Sequence, residues 1–351
     1  MATLTETAYY ARKFIKWGSI GFVVFIILRL SLIATVDYIK KTFPPPPLKP
    51  NYAFGKLPQI KFDGSVASAS ADIKYSLQTV SGGLPKIPDA AYVYFMPKNR
   101  INLLSLSKAQ TFVGKLNFIS SPRQISDTIY RWIDLQNPLR IIEMDIVSNH
   151  FTLTYAYAND LTLFEEKEIP SPQEAIKETF DFLDNLEIDT TAINNSIPKT
   201  TYLKLTGDKL ELASSQSQAD AVRIDLFRKN YQGLSVYSEK ITEGFVTVIL
   251  SGSRRNDRRI LSIKYNYWPT NDFQTGIYKL KTPQIAWEEL VSGKAYIALK
   301  PNDQNRIAIT NVYLAYFDSI KPQLYLQPIF VFTGEDKFLA FVPAVAPPWT
   351  E

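Results

Sequence analysis

Histidine and cysteine, the side chains most often used in metal binding and nucleophilic catalysis, are nearly absent from this chain. Its 351 residues include no Cys and a single His, His150. Thiol nucleophiles, disulfides and Cys or Cys/His zinc sites are therefore excluded, and a Ser-His-Asp triad would have to use His150. No second ligand lies at metal-binding spacing from His150. The sequence thus predicts no metal and no cofactor.

Serine, lysine and carboxylate residues suggest two other catalytic patterns. Ser105 and Lys108 match the Ser-x-x-Lys motif of penicillin-binding enzymes, but the Lys-Thr-Gly motif of those enzymes is missing. Glu143 and Asp145 would share one face of a strand, where they either converge on a substrate or face solvent. We predict no catalytic residue and no enzymatic activity. A carboxylate-based envelope hydrolase is the less favoured alternative.

Four arginines lie within six residues, between two apolar segments: Arg254, Arg255, Arg258 and Arg259. This pattern predicts a hairpin tip, which is either simply solvated or a binding site. Guanidinium groups form paired hydrogen bonds with phosphates and carboxylates, so an anionic envelope polymer or an acidic partner is the expected ligand. The net charge of +5 comes from 39 basic and 34 acidic residues that are mostly interspersed, so we expect no nucleic-acid binding.

The most apolar segment, residues 20–36, predicts a membrane anchor. Seventeen residues at about 1.5 Å rise give about 26 Å, and Trp17 and Tyr38 suit the two interfaces. Arg29, near the middle, makes membrane insertion less favourable by about 3 kcal/mol, whereas the twelve Leu, Ile, Val and Phe residues make it more favourable by about 6 kcal/mol. It either reaches toward an interface or pairs with another membrane helix. We predict an uncleaved single-pass anchor at 17–39 with a cytoplasmic head at 1–16.

The rest of the chain predicts an α+β body behind a stiff linker. The run of prolines at 44–47 indicates polyproline II, and the linker is expected over 40–60. Ser171-Pro172 and Thr282-Pro283 predict two helix starts, and Ser107 is the expected cap of another helix. The two similar starts reflect either a duplication or shared capping chemistry. Short alternating segments predict antiparallel strands in two lobes, 61–195 and 196–346, each covered by one or two helices, and then a tail at 347–351.

Four segments of the second lobe carry a resemblance to known proteins: residues 282–293, 312–316, 325–332 and 338–344. They are similar to PepSY-type modules and to the extracytoplasmic halves of the YycH/YycI family, single-pass regulators of a sensor kinase. The resemblance implies a helix laid on an antiparallel sheet and a regulatory or binding role, without catalytic residues.

Together these features predict a protein of the bacterial cell membrane with an extracytoplasmic body. It would bind, restrain or scaffold a protein partner, with β-strand addition at an exposed sheet edge as one mode of contact. A structural subunit of a surface or secretion assembly is the alternative. Arg29 and the four arginines of residues 254–259 are the predicted contact residues.

Overall fold

A computed structural model describes residues 4–42, 46–62, 73–160, 162–193, 196–301 and 306–351, with side chains of the first segment described for 13–35 only. The chain divides into two compact units, Met1–Leu48 and Lys49–Glu351. Part of the predicted polyproline run, at 44–45, lies outside the described residues.

The first unit contains one long helix, α1 (Leu4–Thr42). Within it, Lys13–Thr35 has a mean hydropathy of 2.1 and, at 23 residues, is long enough to cross a membrane. A signal sequence near an N-terminus has the same property. The predicted apolar helix is therefore confirmed, and its orientation stays a prediction.

The second unit is a mixed α+β body with four helices and seventeen strands among the described residues. The helices are α2 (Ser105–Gly114), α3 (Pro172–Asn185), α4 (Asn256–Arg259) and α5 (Pro283–Val291). The strands are β1 (Lys74–Leu77), β2 (Ala90–Phe95), β3 (Arg123–Gln124), β4 (Ile129–Ile133), β5 (Arg140–Asp145), β6 (Phe151–Tyr155), β7 (Lys199–Thr206), β8 (Lys209–Leu212), β9 (Ala221–Leu226), β10 (Val236–Tyr237), β11 (Val246–Ser251), β12 (Ile260–Tyr265), β13 (Asn271–Lys279), β14 (Tyr296–Leu299), β15 (Arg306–Phe317), β16 (Tyr325–Gly334) and β17 (Leu339–Pro343).

The larger sheet has nine strands in the order β3-β4-β5-β6-β12-β11-β9-β7-β8, and every pair is antiparallel. Helices α2 and α3 contribute Val113, Ala175 and Leu183 to a core that also holds Trp132 and Val248 of the strands. This packing removes the apolar side chains of both helices and one sheet face from water, which is the main stabilisation of such a layer.

The other sheet has eight strands. Its main path is β1-β15-β16-β17-β14, while β2 joins β16 to β13 and β10 adds to β15. Helix α5 covers one face through Ala286 and Leu290, and Phe62 packs on the other face. The pairs β1–β15 and β10–β15 are parallel, so the prediction of purely antiparallel sheets is wrong for this one.

The predicted lobe boundary between residues 195 and 196 falls inside the nine-stranded sheet. Strands β3–β6 precede the boundary and β7–β12, apart from β10, follow it, yet all of them belong to one sheet. Conversely, β1 and β2 lie in the eight-stranded sheet although they are early in the sequence. The prediction assumed lobes that are contiguous in sequence, whereas the chain alternates between the sheets: β1, β2, β10 and β13–β17 form one, and β3–β9, β11 and β12 form the other.

Residues 49–60 of the predicted linker and the predicted tail are part of the folded body. Asn51 N–H donates to the Ile277 carbonyl at 3.0 Å, and Leu57 N–H donates to the Trp349 carbonyl at 2.8 Å. The Tyr52 ring stacks on Trp349 with centroids 3.8 Å apart. Stacking of these two aromatic rings helps to hold this segment on the body. We call this contact the terminal clasp.

A buried ion pair joins the ends of strands from the two sheets. Arg228 follows β9 and Asp318 follows β15, and both side chains are fully buried. Arg228 Nη2 lies 2.6 Å from Asp318 Oδ2, while Nη1 donates to the Tyr267 hydroxyl at 3.2 Å. The guanidinium also lies 4.3 Å from the Tyr267 ring centroid. The polar groups of Arg228 and Asp318 are therefore matched, as low-dielectric surroundings require.

Candidate functional site

A groove of about 920 Å³ lies beside the nine-stranded sheet. Its apolar floor comes from Leu116, Leu186, Val248, Leu250 and Ile260. Its volume falls within the range of ordinary ligand sites, and its open end can admit part of a larger molecule.

Helix α3 forms one wall of the groove. Ser171 Oγ accepts from Glu174 N–H at 3.4 Å, and Glu174 Oε2 accepts from Ser171 N–H at 2.8 Å. This reciprocal cap confirms the predicted start and fixes the first turn. Because the apolar stripe of α3 packs on the sheet, Lys177, Glu178 and Asp181 are left along the groove.

The connection between β4 and β5 forms the opposite wall. Arg140 Nη1 lies 2.6 Å from Asp134 Oδ2, with 10% and 4% of the two side chains exposed. The Arg140 guanidinium also lies 5.1 Å from the centroid of the Phe118 ring. Asp134 Oδ1 accepts from Gln136 N–H at 2.9 Å, so the connection is held by its own side chains.

The four arginines predicted as a binding site lie on and next to α4, and two of them, Arg255 and Arg259, line the groove. Arg259 makes a two-pronged ion pair with Glu178 of α3, both N–O distances being 2.7 Å. Arg255 Nη2 lies 2.8 Å from Asp257 Oδ2, which also accepts from Asn137 Nδ2 at 3.0 Å. These bonds tie α4 to both walls.

The other two arginines contact carboxylates outside the groove. Arg254 Nε donates to Glu168 Oε2 at 2.6 Å, and Arg258 Nε lies 3.4 Å from Asp160 Oδ2. Each of the four guanidinium groups thus lies next to a carboxylate. For Arg255 that carboxylate is two residues along the chain, and for the other three it is distant in the sequence. An anionic polymer that binds here would have to compete with these carboxylates. Binding by the four arginines stays a prediction.

Carboxyl pKa values around the tip follow from this pairing. Partial burial favours the protonated form of Asp257, but hydrogen bonds from Arg255 and Asn137 outweigh it and lower the pKa. Hydrogen bonding from Arg254 lowers the pKa of Glu168. Both groups are therefore ionised at neutral pH, and the tip is a network of matched charges.

Arg29 lies in the apolar part of α1, on the exposed surface of that helix. It contacts no carboxylate of the described part of the chain. Its role as a contact residue stays a prediction.

The remaining residues considered from the sequence do not converge on the groove. Ser105 Oγ accepts from Asn102 N–H at 3.1 Å, and Arg131 Nε donates to Glu143 Oε1 at 2.7 Å. Asp145 Oδ1 accepts from Val147 N–H at 2.8 Å, and His150 Nε2 lies 3.2 Å from the Tyr267 carbonyl. Within the described residues, no three His, Asp or Glu side chains are grouped closely enough to hold a metal ion.

The groove itself was not predicted, because its lining comes from three distant segments, 115–140, 174–186 and 248–260. The one local signal was α3, where charged residues on one side of an amphipathic helix mark a face that does not enter the core.

No protein-family model and no curated protein matches the chain. Solved structures resemble it at low identity. A crystal structure of an uncharacterized protein from Eubacterium rectale is 14% identical, covers 78% of this chain and 89% of its own, and gives a TM-score of 0.39. The C-terminal domain of Bacillus megaterium YpeB is 11% identical, covers 71% of this chain and 95% of its own, and gives a TM-score of 0.29. These values are too low to define the class of this body, so the PepSY and YycI resemblance stays a prediction.

Proposed function

We propose that this chain is a membrane-anchored, extracytoplasmic binding protein that regulates or scaffolds a protein partner of the bacterial envelope. The observation that carries the proposal is the groove, an apolar floor bordered by α3, α4 and the β4–β5 connection. An apolar helix long enough to cross a membrane supports anchorage.

The charge of the groove favours a polypeptide ligand. Its lining has five cationic and five acidic side chains, namely Lys115, Arg140, Lys177, Arg255 and Arg259 with Asp134, Glu174, Glu178, Asp181 and Asp257. With equal numbers of each sign, the site offers little attraction to a polyanion. A segment with apolar side chains for the floor and mixed polar groups for the rim matches it better.

Filling the groove is expected to reduce partner capture. Asn185 is exposed and lines the groove from the last residue of α3, so Asn185→Trp places a bulky ring in it without changing the core. We expect roughly a tenfold or greater loss of affinity, equivalent to about 1.4 kcal/mol. In-cell crosslinking, mild-detergent purification and mass spectrometry measure the yield of each partner.

The matched control is Asp184→Trp, an equally large change at an exposed neighbour that does not line the groove. It should capture the same partner as the wild type. If both tryptophan variants retain the partner equally, the groove is not the binding site.

Arg29 provides an independent test of contact within the bilayer. Replacing it by Leu removes a charge from the apolar span, so insertion should be unchanged or better. If Arg29 pairs with a polar residue of a partner helix, Arg29→Leu should weaken co-purification severalfold. Unchanged co-purification with normal insertion would show that this arginine makes no partner contact.

A further inference from the structure

A second surface lies at residues 98–108, which include the turn before α2 and its first residues. We propose that this 98–108 surface docks on the headgroup region of an anionic lipid bilayer.

The first observation is charge. Residues 90–126 contain Lys98, Arg100, Lys108, Lys115 and Arg123 but no Asp or Glu. Lys115 pairs with Glu187 at 2.9 Å. Lys98, Arg100 and Lys108 are exposed, and none of them has a carboxylate partner in the part of the chain that the structure describes. They therefore present the free positive charge that the paired arginines of residues 254–259 do not.

The second observation is apolar exposure among these cations. Leu103 is fully exposed at 102%, and Ile101 and Leu104 are exposed at 59% and 62%. A hydrogen-bonded turn fixes this arrangement, since Asn102 Oδ1 accepts from Leu104 N–H at 2.9 Å and Asn102 N–H donates to Ser105 Oγ at 3.1 Å. The turn keeps Leu103 exposed to water. Exposure of this apolar side chain is unfavourable unless a partner covers it.

A bilayer matches both observations. Aliphatic side chains enter the boundary between headgroups and acyl chains, while Lys and Arg beside them attract anionic headgroups. The apolar residues 101, 103 and 104 are all exposed on one turn, which suits a soft planar partner. The proposal rests on the membrane anchorage proposed above, because tethering to a bilayer raises its effective concentration around the body.

The absence of cysteine allows a direct test on the full-length chain. A Leu103→Cys variant carries an environment-sensitive fluorophore and is reconstituted in vesicles of phosphatidylcholine, with or without 30% phosphatidylglycerol, containing lipid-borne quenchers. We expect strong quenching in the anionic vesicles that weakens in zwitterionic ones and at high salt. The control is Val80→Cys, a label at another fully exposed apolar position (107%), which should stay unquenched.

Substitution of the three cationic residues should release the labelled surface from the bilayer. A basic residue near an anionic surface contributes about fivefold to binding, so Lys98→Gln, Arg100→Gln and Lys108→Gln together should lower the docking equilibrium by roughly 100-fold. Quenching at position 103 that equals that at position 80, or that is as strong in zwitterionic vesicles, would overturn the proposal. A label that is shielded in native membranes but not in lipid vesicles would also overturn the proposal, because the partner would then be an acidic protein.

Failure of the anchor is measured separately. Alkaline extraction of the same vesicles shows whether α1 is inserted, and a chain that is extracted contradicts anchorage and the proposed docking together. An inserted chain with an unquenched label contradicts the docking alone.

Discussion

Asp318→Asn is expected to lower the free energy of unfolding by about 3–5 kcal/mol, a large part of the 5–15 kcal/mol typical of a domain. The variant leaves the Arg228 guanidinium fully buried with its charge unmatched, because Asp318 is the carboxylate in contact with it. The hydroxyl of Tyr267 and the carbonyl of Trp268 remain as acceptors but carry no full charge. Urea unfolding of wild type and variant measures the difference.

Two controls separate this mechanism from a general loss of polar contacts. Asp181→Asn breaks the exposed Lys177–Asp181 pair of α3 and should change stability by less than about 0.5 kcal/mol. Burial raises the pKa of Asp318 even beside a guanidinium, so removing this carboxylate from water is costly. Arg228→Met with Asp318→Leu should therefore recover most of the stability. A loss below 1 kcal/mol for Asp318→Asn would contradict the argument.

The second large effect is a loss of stability in acid that depends on His150. Burial against Trp268, whose ring centroid is 4.2 Å away, lowers the pKa of His150 to about 4. The unfolded chain binds the proton near pH 6.5. Above pH 6.5 both states are neutral and stability is unaffected, and between pH 6.5 and 4 only the unfolded state gains a proton. The folded state should lose about 2 kcal/mol over that interval, after allowance for the partly exposed ring.

A His150→Gln variant isolates this contribution, since the chain has no other histidine. Unfolding free energies of both proteins at pH 7 and pH 4.5 should show a steeper fall for the wild type, while the carboxylates titrate equally in both. Parallel pH profiles would mean that the ring is accessible to protons in the folded state.

Local signals in the sequence predicted most of the individual elements. The Ser171 cap with Glu174, and the Thr282 cap with Pro283, correctly marked the starts of α3 and α5, because capping depends on residues within one turn. Ser107 was wrong as a cap, since α2 begins at Ser105. There the turn from Asn102 to Ser105, built from side-chain hydrogen bonds, starts the helix earlier than the apolar pattern indicated.

The sequence alone could not predict which distant segments contact each other. Alternation identifies a strand but not its neighbour, so nothing local indicated that β1 pairs with β15. The arginines of residues 254–259 looked like free charge because Glu168 and Glu178 are about 80 to 90 residues away. The free cations at Lys98, Arg100 and Lys108 were overlooked because they are spaced over a loop and a helix start.

The terminal clasp determines how a mechanical load would enter the body. A pull on the chain before Lys49 first reaches Asn51, which is bonded to β13, and then Leu57, which is paired with the C-terminal residues through Trp349 and Glu351. The hydrogen bonds between Asn51 and Ile277 of β13 are loaded first, and the parallel pairing of Leu57 with Thr350 is loaded next. Tension applied at Lys49 is thus resisted jointly by strand β13 and by residues 349–351.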